Sequence, residues 1–290
     1  MSHKNQPADA LLKDKVAIVT GAGQGLGRAY AQLLLDHGAR VVISDPGTNR
    51  SGEGATEDVI AEAVRTLRAD SGQLLSHSGR LDNEACCREL IALAVTGFGK
   101  LDILIHNAGW VDYQLIEEQD EDFIERSVAI NLRAPIWLSK CAWAYLKHSS
   151  SPRIVFTTSD RAMFQRYAQP GLVAYAAGKM AQIGIMNALS QEGEQHGILV
   201  NSISPVARTR MWGSAQPPVD LKPEWVAPGA LYLASPLCQD TGYILRASNG
   251  QFTATRFCEN PGVVYPTDLT RVECESVADI ARQWQQIKES

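Results

Sequence analysis

VAIVTGAGQGLGRAYAQLLLD, residues 16–36, decides the fold. Its first five residues are a short apolar run that reads as a strand, and the strand runs straight into a glycine-bearing loop. Beyond the loop, Leu26, Ala29, Tyr30, Leu33 and Leu34 recur at helical spacing and line one face. Gly21 lets the chain turn sharply off the strand, Gly25 lets the backbone approach a diphosphate, and Gly27 lets the helix pack close to the sheet. Gln24 and Leu26 lie on the same turn, where the helix amino terminus offers free N–H groups to phosphate. The glycines stand four and two apart, so the loop is a longer relative of GxGxxG, and it lacks the GK[ST] ending of an ATP or GTP loop.

Outward from this unit the same alternation continues. VVIS (41–44), LLS (74–76), DILIHN (102–107), RIVFTTS (153–159) and ILVNSIS (198–204) read as strands, with YILRAS (243–248) as the last. Runs that are apolar on both sides and separated by helical segments make a parallel sheet covered on both faces. The pattern predicts an α/β, doubly wound Rossmann-type fold: a seven-stranded, mostly parallel sheet in one dinucleotide-binding domain over residues 1–290, with 250–290 as a C-terminal extension. Right-handed crossovers bring the carboxyl ends of the strands to one edge, where a ligand binds.

A dinucleotide loop calls for an acid at the end of the second strand, and Asp45 closes VVISD there. Its carboxylate can take both hydroxyls of an adenosine ribose and would repel a 2'-phosphate, which favours NAD over NADP. Asp before Pro-Gly is also a turn signal, and the residue alone supports that reading too.

The composition narrows the partners. With 45% hydrophobic residues in 290, the chain can bury a large core, and a net charge of -5 without a basic block argues against nucleic acid or an anionic membrane. The first residues lack the apolar run of a signal peptide and no long apolar stretch follows, so the expectation is a cytoplasmic protein that neither spans nor binds a membrane. The six cysteines and six histidines show no metal-ligand spacing, and no metal is expected.

The chemistry gathers around GLVAYAAGKMAQIG (171–184), where Tyr175 and Lys179 stand four apart on one helical face. Ser159 ends a strand on the ligand edge, Asn131 lies in a long helical segment, and HNAG ends the fourth strand, where Asn107, Ala108 and Gly109 let a nicotinamide half approach. In this order TGxxxGxG, NAG, Asn131, Ser159 and YxxxK resemble the short-chain dehydrogenase/reductase family over nearly the whole chain. A closer resemblance, carried by GAGQGLGRAYA, LKPEWVAP (221–228) and SPVARTRM (204–211), is to the (3R)-hydroxyacyl-CoA dehydrogenase domain of peroxisomal-type multifunctional enzymes. The resemblance implies an NAD-linked oxidoreductase working as a homodimer or homotetramer. In it Tyr175 is the general acid/base, and Lys179 lowers the Tyr175 pKa and bonds the nicotinamide ribose. Ser159 stabilises the reacting oxygen, Asn131 holds a water in a proton relay, and Pro205 and Thr209 face the cofactor.

Several positions depart from that family. Sixteen positions separate Ser159 from Tyr175, about three more than usual; Gly79 stands where an aspartate often meets the adenine, and Val206 follows Pro205 in place of glycine. For the substrate, Trp110, Met163, Phe164, Tyr167, Met211 and Trp212 gather in loops on the ligand side and favour an apolar pocket for a cyclic or aromatic secondary alcohol and its ketone. The alternatives are a (3R)-hydroxyacyl-CoA, with Arg208, Arg210 and Lys222 meeting its phosphates, and a non-catalytic NAD-binding scaffold.

Overall fold

The computed structural model describes residues 10–208, 221–269 and 272–288. They fall in two compact units, Met1–Thr255 and Arg256–Ser290. In the first unit, strands β1 (Val16–Thr20), β2 (Arg40–Ser44), β3 (Leu74–His77), β4 (Ile103–His106), β5 (Arg153–Thr157), β6 (Leu199–Val206), β7 (Ile244–Ser248) and β8 (Gln251–Thr255) form one sheet. Their order is β3-β2-β1-β4-β5-β6-β7-β8. Every neighbouring pair is parallel except β7 and β8.

The sheet therefore has eight strands, one more than the sequence reading gave, and the eighth comes from the segment assigned to the extension. Its turn explains it. Asn249 (φ 52°) and Gly250 (φ 72°) are both left-handed, which is the two-residue hairpin turn that Asn-Gly favours, and the chain returns antiparallel along β7.

The helices are α1 (Gly25–Asp36), α2 (Glu57–Thr66), α3 (Glu84–Phe98), α4 (Glu121–Val128), α5 (Ala134–Leu146), α6 (Asp160–Met163), α7 (Val173–Gly193) and α8 (Ala227–Ala234). The second unit carries α9 (Val277–Lys288). Alternation along β1 sends Ala17 and Val19 into a core shared with α1, α2 and α8, while Val16 and Ile18 enter another with α3, α5 and α7. Both faces are thus covered. Among the described residues no helix is long and apolar enough to cross a membrane, and no group of three or more His, Cys, Asp or Glu could hold a metal.

The chain winds outward from β1 to β3 and then jumps back to β4, beside β1. That reversal leaves a crevice at the carboxyl ends of β1 and β4, into which both the glycine loop and HNAG open.

Candidate active site

The crevice is a cavity of about 720 Å³ running from the end of β2 to the start of α7. At one end lie Gly21, Gln24, Gly25, Leu26 and Asp45. Gly21 and Gly25 have φ of 63° and 55°, the left-handed region that suits glycine. A Cβ on Gly27 would run into the Gly21 carbonyl and lie 2.7 Å from Asn107 Nδ2, so this glycine sits beneath the loop and permits the close packing of helix and sheet. The first turn of α1 holds no acidic residue and Gln24 places no side-chain cap on it, which leaves its N–H groups facing the cavity.

Asp45 holds the turn that the sequence signalled and ties it to the glycine loop. Its Oδ1 accepts from Gly47 N–H at 2.9 Å, which is the turn, and its Oδ2 accepts from Gly23 N–H at 3.0 Å, which ties the glycine loop to the end of β2. A carboxylate has about four acceptor sites. Two remain open towards the cavity.

The end of β4 is locked to the end of β1 through Thr20. The Thr20 hydroxyl accepts from the N–H groups of Asn107 (3.1 Å) and Ala108 (3.0 Å), so its own proton goes to His106 Nδ1 at 3.1 Å. His106 Nε2–H then donates to the Ile130 carbonyl at 3.3 Å. Burial, with the Lys179 charge beside it, pushes the imidazole down to about 3, so His106 is neutral and serves as a fixed strut. Asn107 completes the lock by donating to the carbonyls of Thr20 and Gly21.

The reacting end is built from β5, α6 and α7. Ser159 follows β5 and caps α6, accepting from Arg161 N–H at 3.2 Å, and its hydroxyl lies at the Tyr175 phenol, where it favours the phenolate. Lys179, only 3% exposed, donates from Nζ to the Thr157 carbonyl at 2.8 Å and lies 5.9 Å from the centre of the Tyr175 ring. The sequence expectation was that Lys179 depresses the Tyr175 pKa. In the structure burial raises the phenol, with the Ser159 hydrogen bond and the Arg161 charge pulling it back, while burial lowers Lys179 to about 7. Desolvation outweighs the pairing because both groups are taken from water.

Asn131 sits in a π-helical turn, Ala129–Arg133, between α4 and α5. It is fully buried behind the cavity wall. Its Nδ2 donates to the Trp110 carbonyl (2.8 Å) and Ser127 Oγ (3.2 Å), and its main-chain carbonyl accepts from Gln182 Nε2 at 2.9 Å. Gly178 makes this possible, since a Cβ there would lie 2.5 Å from the Asn131 Cβ and push α7 away.

The cavity lining gathers Gly21, Gln24, Gly25, Leu26, Asp45, Asn107, Ala108, Gly109, Ser159, Tyr175, Lys179 and Pro205. Thr209, Arg210, Met211 and Trp212 lie outside the described residues. The remaining aromatic candidates divide. Trp110 does line the cavity, buried edge-on against Phe123 and donating to the Arg50 carbonyl at 3.2 Å, with the Arg126 guanidinium 5.3 Å from its ring. Met163 packs on the core beneath α5 and α7, Phe164 lies under Arg246 at 4.7 Å, and Tyr167 meets Phe164 edge-on; none of the three lines the cavity. Arg80, Leu81 and Asp82, rather than Gly79, line the adenosine end. Sequence reasoning missed Thr20, Gln182 and Arg161, of which only Arg161 carried a readable signal: a cation two residues past Ser159.

The model of the family described as short chain dehydrogenase matches residues 15–219. The chain is 31% identical over 282 residues to peroxisomal multifunctional enzyme A of Dictyostelium discoideum and 32% over 271 to peroxisomal multifunctional enzyme type 2 of Drosophila melanogaster. These alignments cover 95% and 92% of this chain but 60% and 44% of those proteins, so the chain spans about half the length of the curated relatives it matches. Both relatives are peroxisomal by name, which overturns the cytoplasmic expectation. A crystal structure of a short chain dehydrogenase from Mycobacterium avium superposes with a TM-score of 0.76 at 26% identity, over 96% of either chain. With its glycine loop, Asp45 and the Ser159–Tyr175–Lys179 cluster on one cavity, the chain belongs to the short-chain dehydrogenases and is an NAD-dependent oxidoreductase of that family.

Proposed function

We propose that the chain oxidises a (3R)-3-hydroxyacyl-CoA to its 3-ketoacyl thioester, in the setting of a peroxisomal multifunctional system. The observation that carries this reading is its likeness, across more than nine-tenths of its length, to peroxisomal multifunctional enzymes. The cyclic or aromatic alcohol reading loses its footing in the same geometry. Its basis was a wall of aromatic side chains, and Met163, Phe164 and Tyr167 pack away from the cavity. The basic candidates for CoA phosphates are divided: the Lys222 ammonium lies over the Trp225 ring at 5.2 Å, and Arg208 lines a smaller cavity beside Gly23, Gln24 and Arg28.

The residues present suit a nicotinamide dinucleotide. A Cβ on Gly109 would lie 3.0 Å from both Asn131 Oδ1 and Lys179 Nζ, so only glycine leaves a flat floor next to the lysine. When bound, NAD supplies the acceptor for the hydride that leaves the carbinol carbon. The chain's own residues handle the proton and the oxygen. Ser159 and Tyr175 hold the substrate hydroxyl, Tyr175 takes its proton as the carbonyl forms, and Lys179 fixes the Tyr175 face of the cavity through its anchor on Thr157.

Two measurements test this. Initial rates with NAD on (3R)- and (3S)-3-hydroxybutanoyl-CoA beside cyclic and aryl secondary alcohols, at matched concentration, should favour the (3R) thioester; faster turnover of the cyclic or aryl alcohols overturns it. For the cofactor, Asp45→Asn keeps an acceptor for Gly23 but removes the negative charge. The preference for NADH over NADPH, read as a ratio of dissociation constants, should narrow by on the order of tenfold. An unchanged ratio would remove Asp45 from cofactor choice.

A further inference from the structure

We propose that Arg161 is a substrate-anchoring residue that holds an acyl oxygen placed two carbons from the reacting carbinol, and so selects 3-hydroxyacyl compounds over plain secondary alcohols. The inference rests on the dehydrogenase reading above and names the group by which this site would know its substrate.

Arg161 lines the cavity together with Ser159, Tyr175 and Lys179. Its position is doubly fixed. Its own N–H donates to Ser159 Oγ at 3.2 Å, so the guanidinium starts from the residue that holds the reacting oxygen. The preceding residue, Asp160, is gripped by Arg246 of β7 at 2.7 to 3.1 Å and by the Ser204 hydroxyl of β6 at 2.7 Å, which pins the short helix α6 to two strands.

Charge accounting and position together set Arg161 apart. Arg80, Arg126 and Arg133 also line the cavity, and each has a carboxylate, on Asp82, Glu53 and Glu125; Arg50 lines it too and, among the described residues, has none within ion-pair distance, but only Arg161 adjoins Ser159 and acts on Tyr175. Among the described residues Arg161 has no carboxylate within ion-pair distance. Its side chain donates through one terminal nitrogen to the Tyr113 hydroxyl at 2.5 Å, and that hydroxyl passes its proton on to Gln169 Oε1 at 3.1 Å. A guanidinium carries five N–H donors in a rigid fork, so most of them remain for a ligand. Its charge is also felt at Tyr175, where it favours the phenolate. The unpaired fork therefore stands beside the proton acceptor.

The chemistry that fits is a second oxygen close to the first. In a 3-hydroxyacyl compound the C1 carbonyl oxygen and the C3 hydroxyl are in a 1,3 relation and can point to the same side. The hydroxyl goes to Ser159 and Tyr175; the C1 oxygen goes to Arg161. A thioester, an ester and a free carboxylate share this oxygen, whereas a plain secondary alcohol lacks it. A site built to hydrogen-bond a group discriminates against the analogue that lacks it, because its own donors are then left unmatched.

The test compares kcat/KM on (3R)-3-hydroxybutanoyl-CoA, ethyl (3R)-3-hydroxybutanoate and (3R)-3-hydroxybutanoate, each divided by that on 2-pentanol. Wild type, Arg161→Met and Arg161→Lys are measured, with the NADH dissociation constant as a check on folding. In Arg161→Met the preference for the acyl substrates should fall by roughly 10- to 100-fold, mainly through KM, with Arg161→Lys intermediate and NADH binding retained. Among the acyl arms, the fastest tells whether the oxygen belongs to a thioester, an ester or a carboxylate. An unchanged preference in Arg161→Met, or a wild type without preference for any acyl arm over 2-pentanol, overturns the proposal. The two readings fail separately. A wild type that uses the ester but refuses the CoA thioester sinks the CoA substrate and leaves Arg161 standing; one that favours the thioester equally with and without Arg161 does the reverse.

Discussion

Tyr175→Phe lowers kcat by on the order of 10³- to 10⁴-fold while the NADH dissociation constant stays within about threefold, because the change removes one oxygen that carries the proton and leaves the ring in place. The phenol is the only cavity-facing side chain that can both accept a proton from a hydroxyl held by Ser159 and rest in a slot between Ser159 and Lys179 among the described residues. Its protonation state also fixes the sign of the pH dependence. Burial raises the phenol above its ordinary range, and Ser159 and Arg161 only partly oppose that. Alcohol oxidation needs the phenolate, so its rate should climb with pH through the neutral and mildly alkaline range. Ketone reduction needs the protonated phenol, so it should stay flat over the same range. Matched profiles in the two directions would place the acid/base elsewhere, as would a phenylalanine variant that turns over within tenfold of wild type.

How far the sequence could be read depends on the range of the interactions. The strand, glycine loop and helix at 16–36 were legible because they are dictated locally, by side-chain periodicity and by glycines whose positive φ no other residue suits. Tyr175 and Lys179 were legible because helical spacing alone puts them on one face. The eighth strand was written in Asn249 and Gly250, yet β8 is largely exposed and lacks the apolar alternation that marks a buried strand. Of the expected aromatic pocket, Met163, Phe164 and Tyr167 face away from the cavity, and for a different reason. Phe164 is drawn to Arg246, a cation far along the chain that arrives on β7, and composition in a loop says nothing about such a partner. The π-helical turn at Asn131 was equally hidden, since it depends on Gln182 and Gly178 from a helix that packs against it only in the fold. Local rules gave the cofactor half of the site, and long-range contacts shape the substrate half.

Lys179→Met should produce an enzyme that is more stable and far less active. The lysine ammonium is 3% exposed with a main-chain carbonyl as its partner, and burial brings it from an ordinary value of 10.5 to about 7. Between those two pH values the unfolded chain binds the proton that the folded chain gives up, so stability rises with pH across the window. The penalty is fully present below about 7 and gone above about 10.5. At pH 7 it amounts to on the order of 4 kcal/mol. Methionine fills much the same volume without charge, although it leaves the Thr157 carbonyl unmatched at roughly 1–3 kcal/mol. The balance favours the variant by about 1–3 kcal/mol at pH 7, a rise in Tm of roughly 2–6 °C. Because the wild-type penalty halves by about pH 9, the gap between the two proteins should close there. Activity moves the other way, falling by on the order of 10²- to 10³-fold, since methionine cannot donate to the Thr157 carbonyl and the anchor that positions the Tyr175 face of the cavity is lost. Thermal unfolding of both proteins at pH 7 and 9 decides it: a variant less stable at both values, or a gap that does not change with pH, would mean that Lys179 is not held at a cost. A buried lysine kept where it weakens the fold is one whose place is set by the reaction, and the strain falls on the helix that also presents Tyr175.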